Sequence, residues 1–336
     1  MVKMRFVEAI NEAIRLEMRR DKSVIVMGED VAGGANCPHL EGNEAWGGVM
    51  GATKDLVKEF GRERVLDTPI SEAAFVGAAG GAAATGLRPI VELMFIDFIG
   101  VCYDQVLNQI AKLRYMTGGK AALPLVIRSL CGAGSGAGAQ HSQALFPICV
   151  HIPGIKVVVP TNPMDAKGLL ISSIRDDDPV MFFEDKTIYW NAEEVPEGDY
   201  AVPLGKAKIC REGTDVTVVG IGKMVLLAKE VAEQVAEDGI SCEVIDPRTL
   251  SPLDEETILG SIRKTGKLVV VDECYPRCSI ARDLGALAAS KAFESLKAPV
   301  QLVTGLHAPI GFSPSLENFY MPNREKVTAA IRATVG

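Results

Sequence analysis

Short apolar runs alternate with longer amphipathic stretches along this chain, and that alternation constrains the fold more than any other feature. Residues 23–27, 65–66, 88–93, 123–129, 157–159 and 180–183 are strand-length and apolar. Helical patterns separate them. Val7, Ile10 and Ile14 mark one face of a first helix, with Glu8, Glu12 and Arg15 opposite. Further helices are predicted over 53–60, 72–85, 95–115 and 163–174. Parallel strands need crossover connections, and helices supply them. The pattern predicts an α/β fold with a mostly parallel sheet, helices on both faces, and ligand-binding groups beyond the carboxyl ends of the strands.

The alternation repeats after a polar, proline-bearing stretch. Strands are predicted at 216–219, 242–245, 268–271 and 300–303, and helices at 224–237, 254–264, 280–293 and 324–333. With 336 residues, two domains are expected: 1–190 and 205–336, joined by a linker at 191–204. Hydrophobic residues make up 48% of the chain, enough for two large cores. The net charge is −8 and no Lys/Arg block interrupts it, which argues against nucleic acid or an anionic membrane as partner. No apolar run is long enough to span a bilayer, and the N-terminus lacks a signal-peptide core. The 8 cysteines form no Cys-x-x-Cys pair and read as free thiols in a reducing cytoplasm.

Several residues carry chemistry or imitate it. Asp67-Thr68-Pro69-Ile70-Ser71-Glu72 joins a strand to a helix of very small residues, which suggests close backbone packing on that helix. Glu72 reads either as a helix-end carboxylate, favoured by the dipole by about 0.3–1 kcal/mol, or as a group aimed at a ligand. Glu29, in Gly28-Glu29-Asp30 after the first strand, is equally ambiguous. His141 follows the run Gly132-Ala133-Gly134-Ser135-Gly136-Ala137-Gly138 and is flanked by Gln140 and Gln143. It is either a loop histidine or a chemical group. His39 and His151 carry no supporting pattern, and His307 is expected near an interface. The loop 31–51, with Trp46-Gly47-Gly48, is long enough to expect a functional role. Gly220-Ile221-Gly222-Lys223-Met224-Val225 lacks the third small residue of a dinucleotide fingerprint and reads as a tight turn.

Taken in order, Gly28-Glu29-Asp30, Asp67-Thr68-Pro69-Ile70-Ser71-Glu72, Gly86-Leu87-Arg88-Pro89, Ala139-Gln140-His141-Ser142-Gln143, Asp165-Ala166-Lys167-Gly168-Leu169 and Val270-Val271-Asp272-Glu273 resemble the β subunit of thiamine-diphosphate-dependent 2-oxo acid dehydrogenase E1 components. The resemblance covers essentially the whole chain. It implies a transketolase-like pyrimidine-binding domain followed by a transketolase C-terminal domain. Ala45-Trp46-Gly47-Gly48-Val49, Glu92-Leu93-Met94-Phe95-Ile96-Asp97-Phe98 and Pro276-Arg277-Cys278-Ser279 look most like the acetoin-cleaving members, with pyruvate or branched-chain 2-oxo acids as the alternative substrates.

The resemblance also implies roles. Glu72 would hydrogen-bond N1′ of the cofactor's aminopyrimidine, and Glu29 would support the same ring. Phe98 would pack on the ring, with Met94 and Ile70 as neighbours. His141 would serve the reacting end. Potassium would be held by carbonyls of Leu125, Ser173 and Ile174 together with Asp176 and Asp178. The Gly-Asp-Gly…Asn pattern that holds Mg²⁺ and the diphosphate is absent from this sequence. The resemblance therefore implies an α subunit that supplies it, an α₂β₂ heterotetramer, and a lipoyl-bearing acyltransferase (E2) as acceptor.

Overall fold

Six strands of the first unit pair in one direction. In the computed structural model, which describes residues 1–33 and 45–336, their order is Lys156–Val158, Val180–Asp185, Val126–Cys131, Arg88–Phe95, Val24–Gly28 and Val65–Asp67. Every neighbouring pair is parallel. Val24–Gly28 is buried at each residue, which is why it reads as a continuous apolar run. Val126–Cys131 is equally buried and takes a charge with it. The Arg128 guanidinium donates to both oxygens of Glu184 at 2.7 and 2.8 Å and to Glu92 at 2.9 Å. The Tyr189 hydroxyl donates to the same Glu184 carboxylate.

Helix Pro163–Arg175 starts on Pro163, with the Asn162 side chain accepting from the Asp165 amide. It lies against helix Phe6–Arg20, where buried Lys167 and Glu17 meet Glu12 and Arg175 at 3.1 and 2.6 Å. The helix expected over 95–115 is broken. A 3₁₀ turn, Ile96–Phe98, precedes helix Ile99–Asp104, a π turn Gln105–Ile110 and helix Ala111–Met116. The π turn meets the glycines of helix Glu72–Ala84. A Cβ on Gly77 would lie 2.9 Å from Gln105, and one on Gly80 would lie 3.0 Å from Ile110.

The expected linker differs from a free tether. Ala192–Val195 pairs antiparallel with Val2–Arg5, the Val202 amide donates to Gly168 O at 3.0 Å, and the Tyr200 hydroxyl donates to Met164 O at 2.7 Å. Polar composition does not prevent a segment from satisfying its backbone against a neighbour. The first unit comprises Met1–Cys131 and Cys149–Leu204, and the second comprises Gly132–Ile148 and Gly205–Gly336.

In the second unit the parallel strands Gln301–Thr304, Leu268–Asp272, Val216–Gly220 and Cys242–Asp246 are joined at one edge by an antiparallel strand, Lys208–Arg211. Helices Glu255–Thr265, Ile280–Lys291 and Arg324–Val335 are each capped by a side chain, from Asp254, Ser279 and Asn323. With helix Met224–Ala236 they cover the sheet. A shorter helix, Pro314–Tyr320, was not anticipated from the sequence. Among the described residues no helix is long and apolar enough to cross a membrane. Cys37 and His39 lie outside the described residues, as does the middle of the 31–51 loop.

Candidate active site

Three adjacent strands of the first unit end on one edge of the sheet. Val65–Asp67 pairs Val24–Gly28, which pairs Arg88–Phe95, with Gly28 beside both Asp67 and Glu92. The Thr68 amide donates to Gly28 O at 3.0 Å, and the Ala32 amide donates to Asp67 Oδ1 at 2.7 Å. These bonds fix the strand ends against each other. Glu29 follows the middle strand, Thr68 to Glu72 follow the outer one, and Ile96–Phe98 follows the third. This carboxyl edge is where an open parallel sheet leaves room for a ligand.

Glu72 is the first residue of helix Glu72–Ala84 and is half-buried. Its carboxylate has no hydrogen bond or ion pair among the described residues. Its charge is nonetheless felt by two neighbours. Burial, Asp30 and Glu72, in that order, raise the Glu29 carboxyl above the usual range. Burial and then Glu72 push the Cys102 thiol up to about 12. Like charges that feel one another across a partly buried site raise the cost of ionising both. The Thr68 hydroxyl adds a second unused group, buried and without a hydrogen-bond partner among the described residues. Ile70 stands 74% exposed beside them. Phe98 is half-buried and meets Phe95 edge to face at 5.9 Å. Met94 is buried within its strand. Unspent carboxylate and hydroxyl beside an exposed aliphatic side chain and a partly exposed ring fit a flat nitrogenous ring such as aminopyrimidine.

The residues expected to hold potassium gather at the opposite, amino edge of the same sheet, just before Val126–Cys131 and Val180–Asp185. Their oxygens are already engaged. Leu125 O accepts from the Val180 amide, and Ile174 O accepts from Arg88 at 3.0 Å. Lys156 binds Asp176 at 2.6 Å and Asp178 at 3.3 Å, and Arg114 binds Asp178. Ser173 O accepts from the Asp176 amide. Side-chain cations neutralise both acids, so the turn does not fit a site in which those carboxylates ligate potassium. The carboxyl edge also lies away from it.

His141 belongs to the second unit, half-buried, with its amide donating to Gly138 O at 3.3 Å. The loop that carries it is closed at its base by the Gly132 amide donating to Gln143 O at 3.2 Å. The Tyr275 hydroxyl donates to Gln143 Oε1 at 3.1 Å. Ser142 Oγ, next to His141, is buried without a hydrogen-bond partner among the described residues. Sequence reasoning missed Thr68, Cys102 and Ser142 as neighbours of the motif acids and His141. Thr68 and Ser142 were inside the quoted motifs, so their positions were the available signal. The Gly220 turn is structural. A Cβ on Gly220 would lie 2.6 Å from the Val225 backbone, and the turn delivers Lys223 to Ala133 O.

Residues 2–190 match the transketolase pyrimidine-binding domain, and residues 205–327 match the transketolase C-terminal domain. The chain is 58% identical over 329 residues to the acetoin:2,6-dichlorophenolindophenol oxidoreductase β subunit of Bacillus subtilis, covering 98% of this chain and 96% of that one. It belongs to the transketolase-related family of E1 β subunits. The corresponding Cupriavidus necator subunit is 56% identical, with 97% and 96% covered. The 2-oxoisovalerate dehydrogenase β subunit of B. subtilis is 41% identical, with 98% of each chain covered. Among solved structures, a split-gene transketolase in an inactive β₄ tetramer superposes with a TM-score of 0.77 at 21% identity, covering 98% and 97%, and shares the fold. The two-domain E1 β architecture places Glu29, Glu72 and Phe98 in the pyrimidine-binding domain.

Proposed function

We propose that this E1 β subunit works with an α subunit in a thiamine-diphosphate-dependent, cytoplasmic enzyme. That enzyme cleaves acetoin and passes the acetyl unit to a lipoyl group of an acyltransferase component. The observation that carries the substrate is the identity gap: 58% and 56% to two acetoin oxidoreductase β subunits, against 41% to a pyruvate and a 2-oxoisovalerate dehydrogenase β subunit.

When bound, the cofactor supplies a carbon nucleophile and an electron sink. Glu72 is the residue of this chain suited to activating it, because its carboxylate is half-buried and unspent. Glu72 would hold the pyrimidine by a hydrogen bond at N1′ and exchange a proton with the ring at that atom. Glu29 would support the same ring; burial, then Asp30 and Glu72, hold its carboxyl above the usual range. Ile70, exposed, and Phe98, half-buried, would present apolar surface to the ring, with Met94 as a buried neighbour. His141 moves a proton at the substrate oxygen or stabilises charge there. Mg²⁺ and the diphosphate fall to the α subunit in an α₂β₂ assembly, because this sequence lacks the motif that binds them.

The test is turnover of the α/β pair. Acetoin should be cleaved in preference to pyruvate, and the β chain alone should be inactive. Glu72→Gln should abolish turnover while leaving assembly intact. Release of CO₂ from pyruvate without acetoin cleavage would overturn the substrate, and near-normal turnover by Glu72→Gln would overturn the role of that residue.

A further inference from the structure

The glycine-rich segment ahead of His141 is conformationally expensive. Gly132, Gly134, Gly136 and Gly138 all adopt left-handed φ, at 90°, 108°, 67° and 77°. Glycine loses more freedom on ordering than any other residue, so this stretch does not hold one shape by itself. Its restraints come from far along the chain, within the second unit. The Ala133 amide donates to Glu273 Oε2 at 3.2 Å. The Gly134 amide donates to Glu317 Oε1 at 2.8 Å, and the Gly136 amide donates to Glu317 Oε2 at 2.9 Å. The Phe312 ring covers Gly138 so closely that a Cβ there would lie 2.4 Å from it.

Glu317 is unusual in what it leaves undone. It is 3% exposed on helix Pro314–Tyr320, yet its carboxylate has no cationic partner among the described residues. Burying a carboxylate costs several kcal/mol or more unless its oxygens are satisfied. Here the two oxygens are satisfied by two loop amides, and charge-assisted bonds of this kind are about twice as strong as neutral ones. An apolar side chain here would leave the Gly134 and Gly136 amides without these acceptors.

We propose that Glu317 is a positioning residue for His141. It clamps the Gly134 and Gly136 amides so that the loop presents His141 in one place. The inference rests on the reading of His141 as a group of the reaction. Loosening the clamp leaves cofactor and substrate binding intact and removes the fixed placement that catalysis needs, where a misplacement near 1 Å costs about 100-fold.

The experiment uses the assembled α/β enzyme. Glu317→Ala should speed amide hydrogen exchange in peptides spanning 132–143. It should also lower kcat for acetoin cleavage by about 10- to 100-fold, with KM for acetoin and the dissociation constant of thiamine diphosphate unchanged. Glu317→Gln keeps one acceptor oxygen and should fall between; it carries the test if the alanine variant does not assemble. Unchanged exchange, or faster exchange with full kcat, overturns the positioning role. A fall confined to KM also overturns it. His141→Gln separates the two claims: full activity there refutes the reading of His141, while the exchange result still reports on the clamp.

Discussion

Arg128→Met would remove the one cation, among the described residues, from a buried cluster of three acidic or phenolic groups. Arg128 and Glu184 have side chains 2% and 1% exposed, and Glu92 is 10% exposed. Burial raises the Glu92 carboxyl, with Arg128 pulling it back and Glu184 adding to the rise. Three hydrogen bonds from the guanidinium to the two carboxylates disappear with the arginine. Breaking a buried pair by deleting one partner costs about 3–5 kcal/mol, or roughly 150- to 5,000-fold in the folded-to-unfolded ratio. The loss should depend on pH. Without Arg128 the Glu92 carboxyl, which burial already raises, has a folded-state affinity for protons still further above its unfolded value. Such groups contribute stability below the ordinary carboxylate range and lose it as pH rises through the raised folded value. The variant should therefore sit closest to the wild type in mild acid and furthest from it above neutrality. Urea unfolding of this chain, followed by circular dichroism at about pH 5 and about pH 8, reads both quantities. Adding Glu184→Leu and Glu92→Gln to Arg128→Met should recover most of the loss. A penalty below about 1 kcal/mol, or one independent of pH, would refute the view that Arg128 offsets the burial of these carboxyl groups.

Glu29→Gln should become more stable than the wild type as pH rises from the acid side, because a carboxyl held above its usual range loses its contribution in that direction; parallel thermal midpoints across the carboxylate range would contradict this. Exposed Cys278 should react with a thiol reagent in the native protein, while Cys102 and Cys149, buried and both pushed up to about 12, react only on unfolding; native labelling of either would be a refutation. Gly168→Leu should prise residues 196–204 from helix Pro163–Arg175, since a Cβ there would lie 2.5 Å from Val202. Overpacking of this kind costs about 1–3 kcal/mol, and limited proteolysis within 196–204 should accelerate.

Strands and helices were legible wherever local pattern and tertiary need agreed. Strands expected at 216–219 and 268–271 appear as Val216–Gly220 and Leu268–Asp272. Parallel strands buried on both faces leave a run of Val and Ile that no other element explains. Legibility failed where partners were remote. The stretch 95–115 reads as one helix because its apolar spacing is helical. The glycines of the neighbouring helix instead receive a π turn, Gln105–Ile110, and the helix before it is kinked at Cys102, with φ −112° and ψ 17°. Residues 191–204 read as a linker because they are polar, yet Ala192–Val195 is a strand because Val2–Arg5 offers it a backbone edge.

The sequence by itself determined that the chain is two α/β units and that Glu29 and Glu72 follow strands. It also lacks a diphosphate-binding motif, a matter of residue types in order. It could not say which acids are spent. The resemblance implies Asp176 and Asp178 as potassium ligands, and only the fold brings Lys156 and Arg114 onto them. The family motifs already assign Glu72 to the cofactor, and the fold adds that its carboxylate has no hydrogen bond or ion pair among the described residues. Glu317 carried no signal at all, because its partners lie 183 and 181 residues away. Charge pairing falls off over a few ångströms of space, and local pattern holds no record of which distant residues the fold brings within that range.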